Sequence, residues 1–243
     1  NLMPFFSLLT LYVLYKALSK NSLRLFIFCG FLLGIAMQLH YLAFFLGAII
    51  AFYIILIRRS ISKSFKDYVH IFVGFMLGWS PFFVFEIRHG FPNIVSIFNF
   101  IFYSGDTGGS SSFFGTINNV FFRLFGRLVT NFPMPEKISS WTNLDIMLWN
   151  YLTLFLAIGS VLILIYKLLS TYKKDSLNFN KFSLLFVWLV LGVGLFGFYK
   201  KSIYDYYFGF MFPLPFFIVG IFLTSLWKNK FGKVISVLIL LSL

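Results

Sequence analysis

From residue 25 to residue 57 the chain runs for 33 residues without an Asp, Glu, Lys or Arg. One helix of that length would measure about 50 Å, against a bilayer hydrocarbon core of about 30 Å. The run therefore reads as two crossings joined by a turn. Its only strongly polar residues, in Gln38-Leu39-His40-Tyr41, supply the turn. Further apolar stretches at 2–18, 69–87, 146–166, 182–199, 206–227 and 234–243 bring the expected number of crossings to eight. Barrel strands would alternate in hydropathy, whereas these runs are unbroken. The predicted fold class is all-α: a polytopic transmembrane helical bundle with an external loop containing amphipathic helices.

Only 11% of residues are charged and 60% are hydrophobic, whereas soluble domains carry about 25% charged residues. A soluble enzyme, a coiled coil and a disordered chain are excluded. The net charge of +13 would suit nucleic acid, but the charges are placed otherwise. Fourteen of the 20 Lys and Arg fall into four clusters: Lys16, Lys20 and Arg24; Arg58, Arg59, Lys63 and Lys66; Lys167, Lys173, Lys174 and Lys181; Lys228, Lys230 and Lys233. Each lies between apolar runs, so the clusters mark cytoplasmic segments, and no nucleic-acid partner is expected. The lone Cys29 excludes an intrachain disulfide. The chain starts at Asn1 and stops inside an apolar run, so both ends read as clipped. The expectation is one membrane-embedded domain over 1–243, a multi-pass protein of the bacterial plasma membrane with its active site on the outer face.

Residues 88–145 form the external segment, too long for an idle connector. Within it Ile117, Val120, Phe121, Leu124, Phe125, Leu128 and Phe132 recur at helical spacing, opposite Asn119, Arg123, Arg127 and Asn131. This predicts an amphipathic helix lying on the outer leaflet. Residues 94–103 form a second, shorter apolar stretch, and 104–112 a Gly/Ser-rich tip. Gly30/Gly34 and Gly74/Gly78 are small-xxx-small pairs suited to close helix packing. Pro81 falls inside its span and predicts a kink.

There is no metal-ligand spacing, no phosphate-cradling glycine loop before a helix and no Ser/His/Asp order. What stands out is a set of ionisable and aromatic residues at the outer ends of the helices. His40, Tyr41, Arg88, His89, Lys200 and Lys201 are candidates for holding a lipid-linked phosphate. Glu86, Tyr204, Asp205 and Tyr207 are further site candidates. Charged groups beside hydrocarbon are costly and mark function. Lys200 and Lys201 also face outward against the orientation signal. Each group has a plainer reading as well: a hairpin cap at His40, interfacial anchors at Arg88 and His89, a local Glu86–Arg88 pair, an aromatic belt of tyrosines.

The run Gly30-Phe-Leu-Leu-Gly34-Ile-Ala-Met-Gln38-Leu-His40-Tyr41 resembles the segment of GT-C glycosyltransferases in which a glycine-rich helix ends at a polar-Tyr turn. Gly78-Trp-Ser-Pro81-Phe-Phe-Val-Phe-Glu86-Ile-Arg88-His89-Gly90-Phe, Tyr206-Tyr207-Phe-Gly-Phe-Met-Phe-Pro213-Leu-Pro215 and the opening Asn1-Leu-Met-Pro4-Phe-Phe are also similar to that class, which includes protein O-mannosyltransferases and aminoarabinose transferases. The resemblance implies transfer of a sugar from a polyprenyl-phosphate donor to a glycan, lipid or protein acceptor at the outer membrane face. It also implies that the catalytic base is an acidic residue in an external loop upstream of Asn1. The catalytic residue is therefore unknown here, as is the cofactor, although a divalent metal bound by that missing loop is possible chemistry. A lipid-linked oligosaccharide polymerase or ligase, relying on Arg123 and Arg127, is the alternative reading. A transporter or flippase ranks below it, since almost no ionisable residue lies mid-span.

Overall fold

A computed structural model describes residues 2–102, 112–132, 142–199, 201–228 and 230–242. Among these the regular structure is helical: α1 (Met3–Lys20), α2 (Leu23–Leu39), α3 (Ala43–Arg58), α4 (Ile61–His89), α5 (Pro92–Phe102), α6 (Phe113–Leu128), α7 (Asn143–Thr171), α8 (Ser176–Gly194), α9 (Pro213–Leu226) and α10 (Lys230–Ser242). Short 3-10 turns cover Leu195–Phe198 and Asp205–Met211. A helix stands at each of the eight expected crossings. Three helical stretches, Ile61–His89, Asn143–Thr171 and Ser176–Phe198, are long and apolar enough to span a membrane. Asp205–Met211 with Pro213–Leu226 makes a fourth if that bent pair counts as one span. The helices α2 and α3 are apolar but only 17 and 16 residues long. The Gly/Ser tip lies almost wholly outside the described residues, as do Asp106, Glu136, Lys137 and Lys200.

Three features differ from the sequence reading. The expected crossing at 206–227 is broken, with its two parts bent by 59°. Pro213 opens α9 in the first-turn position, where its missing N–H costs nothing, and its ring cannot continue a helix arriving from Tyr206. Second, Lys63 and Lys66 lie on α4 itself, which starts at Ile61, instead of in a connecting segment. Lysine is a good helix former, so nothing stops the helix at the edge of the apolar run. Third, the apolar face of α6 is not spread outward on lipid: Val120, Leu124 and Phe125 are fully buried. The chain after α6 is tied to α7 instead. Thr130 Oγ1 meets Thr153 Oγ1 at 2.6 Å, and the Trp149 indole N–H donates to the Thr130 carbonyl at 2.6 Å. An apolar helix face can be covered by protein as well as by lipid, and periodicity does not distinguish the two.

Contacts group the chain into two compact units, Asn1–Phe113 with Gly197–Phe210, and Phe114–Phe196 with Met211–Leu243. In the first unit α2 and α4 run parallel at backbone contact. A Cβ on Gly30 would overlap the Ile71 carbonyl oxygen, one on Gly74 the Ile27 carbonyl oxygen, and one on Gly78 the Phe31 carbonyl oxygen. On Gly34 a Cβ would come within 2.7 Å of the Phe75 carbonyl oxygen. The two small-xxx-small pairs thus face one another, and α2 leaves no room for any side chain there. The Gln38 amide locks the upper end by donating to the Gly78 carbonyl at 2.6 Å. Nearby, α4 runs on through Pro81. The proline takes away the N–H that would reach the Leu77 carbonyl, and Ser80 Oγ bonds that carbonyl instead at 2.8 Å.

At the other end of these helices Arg58 and Asp67 form an ion pair at 2.6 Å, with side chains 14% and 5% exposed. The same guanidinium donates to Asn21 Oδ1 at 2.8 Å, so the α1–α2 turn, the end of α3 and the start of α4 meet at one cation. Asn21 adopts φ 49°, a left-handed conformation that asparagine tolerates better than most residues. In the second unit α7 starts on a reciprocal cap: Thr142 Oγ1 accepts from the Asp145 N–H at 3.1 Å and Asp145 Oδ2 from the Thr142 N–H at 3.3 Å. Asp175 caps α8 without that reciprocity, accepting from the Asn178 N–H at 3.0 Å and from the Asn178 side-chain amide at 2.6 Å.

The glycine contact yields a paired expectation. Gly74→Val should cost at least about 2 kcal/mol in thermal unfolding in detergent, because carbonyl oxygen cannot yield as a flexible side chain can. Gly220→Ala, where a Cβ meets nothing within 4 Å, should be neutral or mildly stabilising. Equal stability of the two variants would refute the packing. Asp67→Ala should separately cost about 3 kcal/mol, because it strands a largely buried guanidinium; a Tm equal to wild type would show that the pair is idle.

Candidate functional site

The first unit gathers one histidine and five tyrosines from two distant segments. The α2 helix ends at Leu39 because His40 turns extended, at φ −162° and ψ 131°. The His40 N–H still donates to the Ala36 carbonyl at 3.2 Å, and its own carbonyl accepts from the Ala43 N–H at 2.9 Å, which closes a tight corner into α3. The Leu42 N–H donates to His40 Nδ1 at 3.2 Å, which leaves Nε2 to carry the proton of the neutral ring. Half-buried, the imidazole stacks on Tyr41 with centroids 4.8 Å apart.

The second segment approaches over this corner. Phe208 and Phe210 are fully buried, and Phe210 meets Phe45 of α3 edge-on at 6.2 Å. This anchoring brings Tyr207 to 5.3 Å and Tyr206 to 6.0 Å from the His40 ring. The Tyr41 and Tyr199 hydroxyls bond each other at 3.1 Å across 158 residues of sequence. Tyr207 lies 5.9 Å from Tyr199 and 5.6 Å from Tyr204, ring to ring. His40, Tyr41, Tyr204 and Tyr207 were legible as site candidates; Tyr199 and Tyr206 were missed. The signal for them was only the density of tyrosine in residues 199–207, which an aromatic belt explains as well.

The other candidates divide. Lys201 and Asp205 are half-buried on the tyrosine-bearing segment, and Lys200 lies outside the described residues. Arg88 and His89 are exposed at the end of α4. His89 stacks on Phe85 at 4.2 Å and its Nδ1 lies 2.8 Å from the Phe85 carbonyl. No hydrogen bond, ion pair or ring contact among the described residues joins either to the tyrosine cluster. Glu86 does not pair with Arg88. It is buried at the α4–α5 elbow, where its carboxylate accepts from the Asn93 side-chain amide at 2.6 Å and from the Ile94 N–H at 3.0 Å. The positive φ angles of Gly90 (75°) and Phe91 (61°) make this elbow, and the carboxylate meets the N-terminal N–H groups of α5.

Four of the five described acids therefore have a structural place. Asp67 holds Arg58, Glu86 holds α5, and Asp145 and Asp175 cap α7 and α8. Asp205 alone of the described acids lies on a cluster segment. No group of three His, Cys, Asp or Glu among the described residues is arranged to hold a metal ion. Arg127 donates to the Phe132 carbonyl at 2.8 Å and closes the end of α6, which gives it a structural use.

Burial lowers the His40 pKa below its ordinary 6.5. Protonating Nδ1 would also forfeit the Leu42 bond. As pH falls, the unfolded chain takes the proton first, so the His40 contribution is complete above pH 6.5 and is lost as pH drops through the depressed folded value. The His40 NMR titration midpoint should therefore fall below 6.5, and wild-type Tm should decline faster on acidification than that of His40→Asn. Asparagine can keep the N–H bond from residue 42 without titrating. A midpoint above the ordinary value would contradict this environment.

Residues 1–85 match the family model described as dolichyl-phosphate-mannose-protein mannosyltransferase. No curated protein and no solved structure matches the chain. The matched stretch holds α1 to α3, most of α4, both glycine pairs and the His40–Tyr41 corner; Glu86, Arg88, His89 and residues 197–210 lie beyond it. Over its first 85 residues the chain is similar to the GT-C class of mannosyltransferases that its glycine-rich helix and polar-Tyr turn resemble.

Proposed function

We propose that the chain is part of a membrane glycosyltransferase that moves a sugar from a polyprenyl-phosphate donor to a glycan, lipid or protein acceptor at the outer face. One observation carries the reading. The His40–Tyr41 corner lies inside the stretch matched to a mannosyltransferase family, and it is the point on which the tyrosines of 199–207 converge. In this reading the His40 Nε2–H and the hydroxyls of Tyr41, Tyr199 and Tyr207 donate to the donor phosphate, and Lys200 and Lys201 balance its charge. Negative charge grows on that phosphate as the sugar–phosphate bond breaks, so donors fixed around it act mainly on turnover. Asp67, Glu86, Asp145 and Asp175 are engaged in structural contacts, so none of these four is assigned as the acceptor's base.

The test is sugar transfer by the full-length protein in lipid nanodiscs with a mannosyl-phosphoryl-polyprenol donor. His40→Ala and Lys201→Ala should each lower transfer at least about tenfold, equivalent to about 1.4 kcal/mol. Arg88→Ala should change it less than about twofold, since Arg88 stands apart from the cluster. Unchanged transfer in both the His40 and Lys201 variants would remove the phosphate assignment.

A further inference from the structure

Resting on the donor chemistry just proposed, we infer that the exposed faces of Tyr204 and Tyr206 form a platform for the pyranose ring of the lipid-linked sugar. The two rings are nearly parallel, at 12° with centroids 5.8 Å apart, and remain 55% and 53% exposed. Tyr207 stands edge-on to both, at 82° to Tyr204 and 87° to Tyr206, and so fixes their orientation. The Tyr207 N–H donates to the Tyr204 carbonyl at 3.0 Å, and buried Phe208 and Phe210 hold the turn. The pair is thus ordered before any ligand arrives, which reduces the entropy lost on binding.

The chemistry of the faces selects the ligand. A ring face carries negative potential and attracts the slightly positive C–H groups of a saturated ring, while the phenol edge can donate to and accept from sugar hydroxyls. The chain holds 37 Phe and only 13 Tyr, yet every ring described around His40 is tyrosine. Apolar area alone would have been met by the commoner residue, so hydroxyls are wanted at this place. An aromatic belt does not account for the arrangement either. Belt tyrosines need only reach headgroup level one by one, whereas these converge from two segments on one histidine. The half-buried floor of His40, Tyr41, Tyr199 and Tyr207 and the exposed pair above it suit a phosphate and its attached sugar, in that order.

Binding of two lipids to the full-length protein in nanodiscs tests this: a polyprenyl phosphate, and the same lipid carrying mannose. Wild type should bind the mannosyl lipid at least about tenfold more tightly. The double variant Tyr204→Ala with Tyr206→Ala should lose that preference and keep its affinity for the bare phosphate lipid. Retention of the preference, equal binding of the two lipids by wild type, or a parallel loss for both overturns the platform. Wild type that binds neither lipid overturns the donor reading itself. Should the alanine variant fail to fold, Tyr204→Leu with Tyr206→Leu decides, because it keeps apolar bulk but removes both the ring faces and the hydroxyls: loss of the preference with bare-lipid affinity kept supports the platform, and a retained preference overturns it.

Discussion

The site depends on two helices touching at their backbones. Four glycines on α2 and α4 bring carbonyl oxygens of one helix against Cα atoms of the other, and this holds the pair at a fixed height. Apolar side chains cannot provide such a lock inside a bilayer, because lipid tails solvate them as well as a neighbouring helix does. Close approach and polar bonds remain, and the Gln38 amide on the Gly78 carbonyl supplies one. Two residues past Gln38 comes His40. The height at which α2 stops, and so the position of the imidazole and Tyr41, is set by the glycine contact beneath them.

Charge is placed with the same economy. The cluster Arg58, Arg59, Lys63 and Lys66 reads in sequence as an orientation signal, yet Arg58 also joins three chain segments through Asp67 and Asn21. One residue can do both, since the orientation rule counts charges and leaves their partners open. Glu86 follows the same pattern in reverse. A carboxylate at the membrane boundary suggests catalysis, and here it meets the N–H groups of a following helix, which satisfy it without a cation. The criterion behind the proposed function is a cluster of polar rings that converges from segments far apart in sequence. His40 and the tyrosines around it meet that criterion.

Helix positions were legible because runs of apolar residues carry them, and the His40 corner because it interrupts the longest such run. The break at residue 212 was also on the page, in Pro213 and Pro215, but apolarity concealed it: composition shows that a segment sits in an apolar setting and says nothing of whether it is straight. Burial of the α6 face escaped for a related reason, since Val120, Leu124 and Phe125 have the same spacing against protein as against lipid. The Tyr41–Tyr199 bond spans 158 residues, and no local pattern encodes a contact of that range. Family similarity over residues 1–85 does not reach Tyr199 either, so Tyr199 and Tyr206, and the joining of the two segments, were visible only in three dimensions.

The tyrosines give the proposed site its character. Lysine alone at a membrane boundary would attract any anionic headgroup, and its hydrated ammonium would discriminate little among them. Neutral phenols and a neutral imidazole behave otherwise. They cost less to keep beside hydrocarbon, they donate in fixed directions, and they lose little entropy because each tyrosine has only two side-chain torsions. Lowering the His40 pKa serves the same end, since a protonated ring would break the Leu42 bond that aims it. A site built this way holds an anion by geometry as well as by charge. Under the proposed donor reading, this is what would let it favour one phosphate-bearing lipid over the many that surround it.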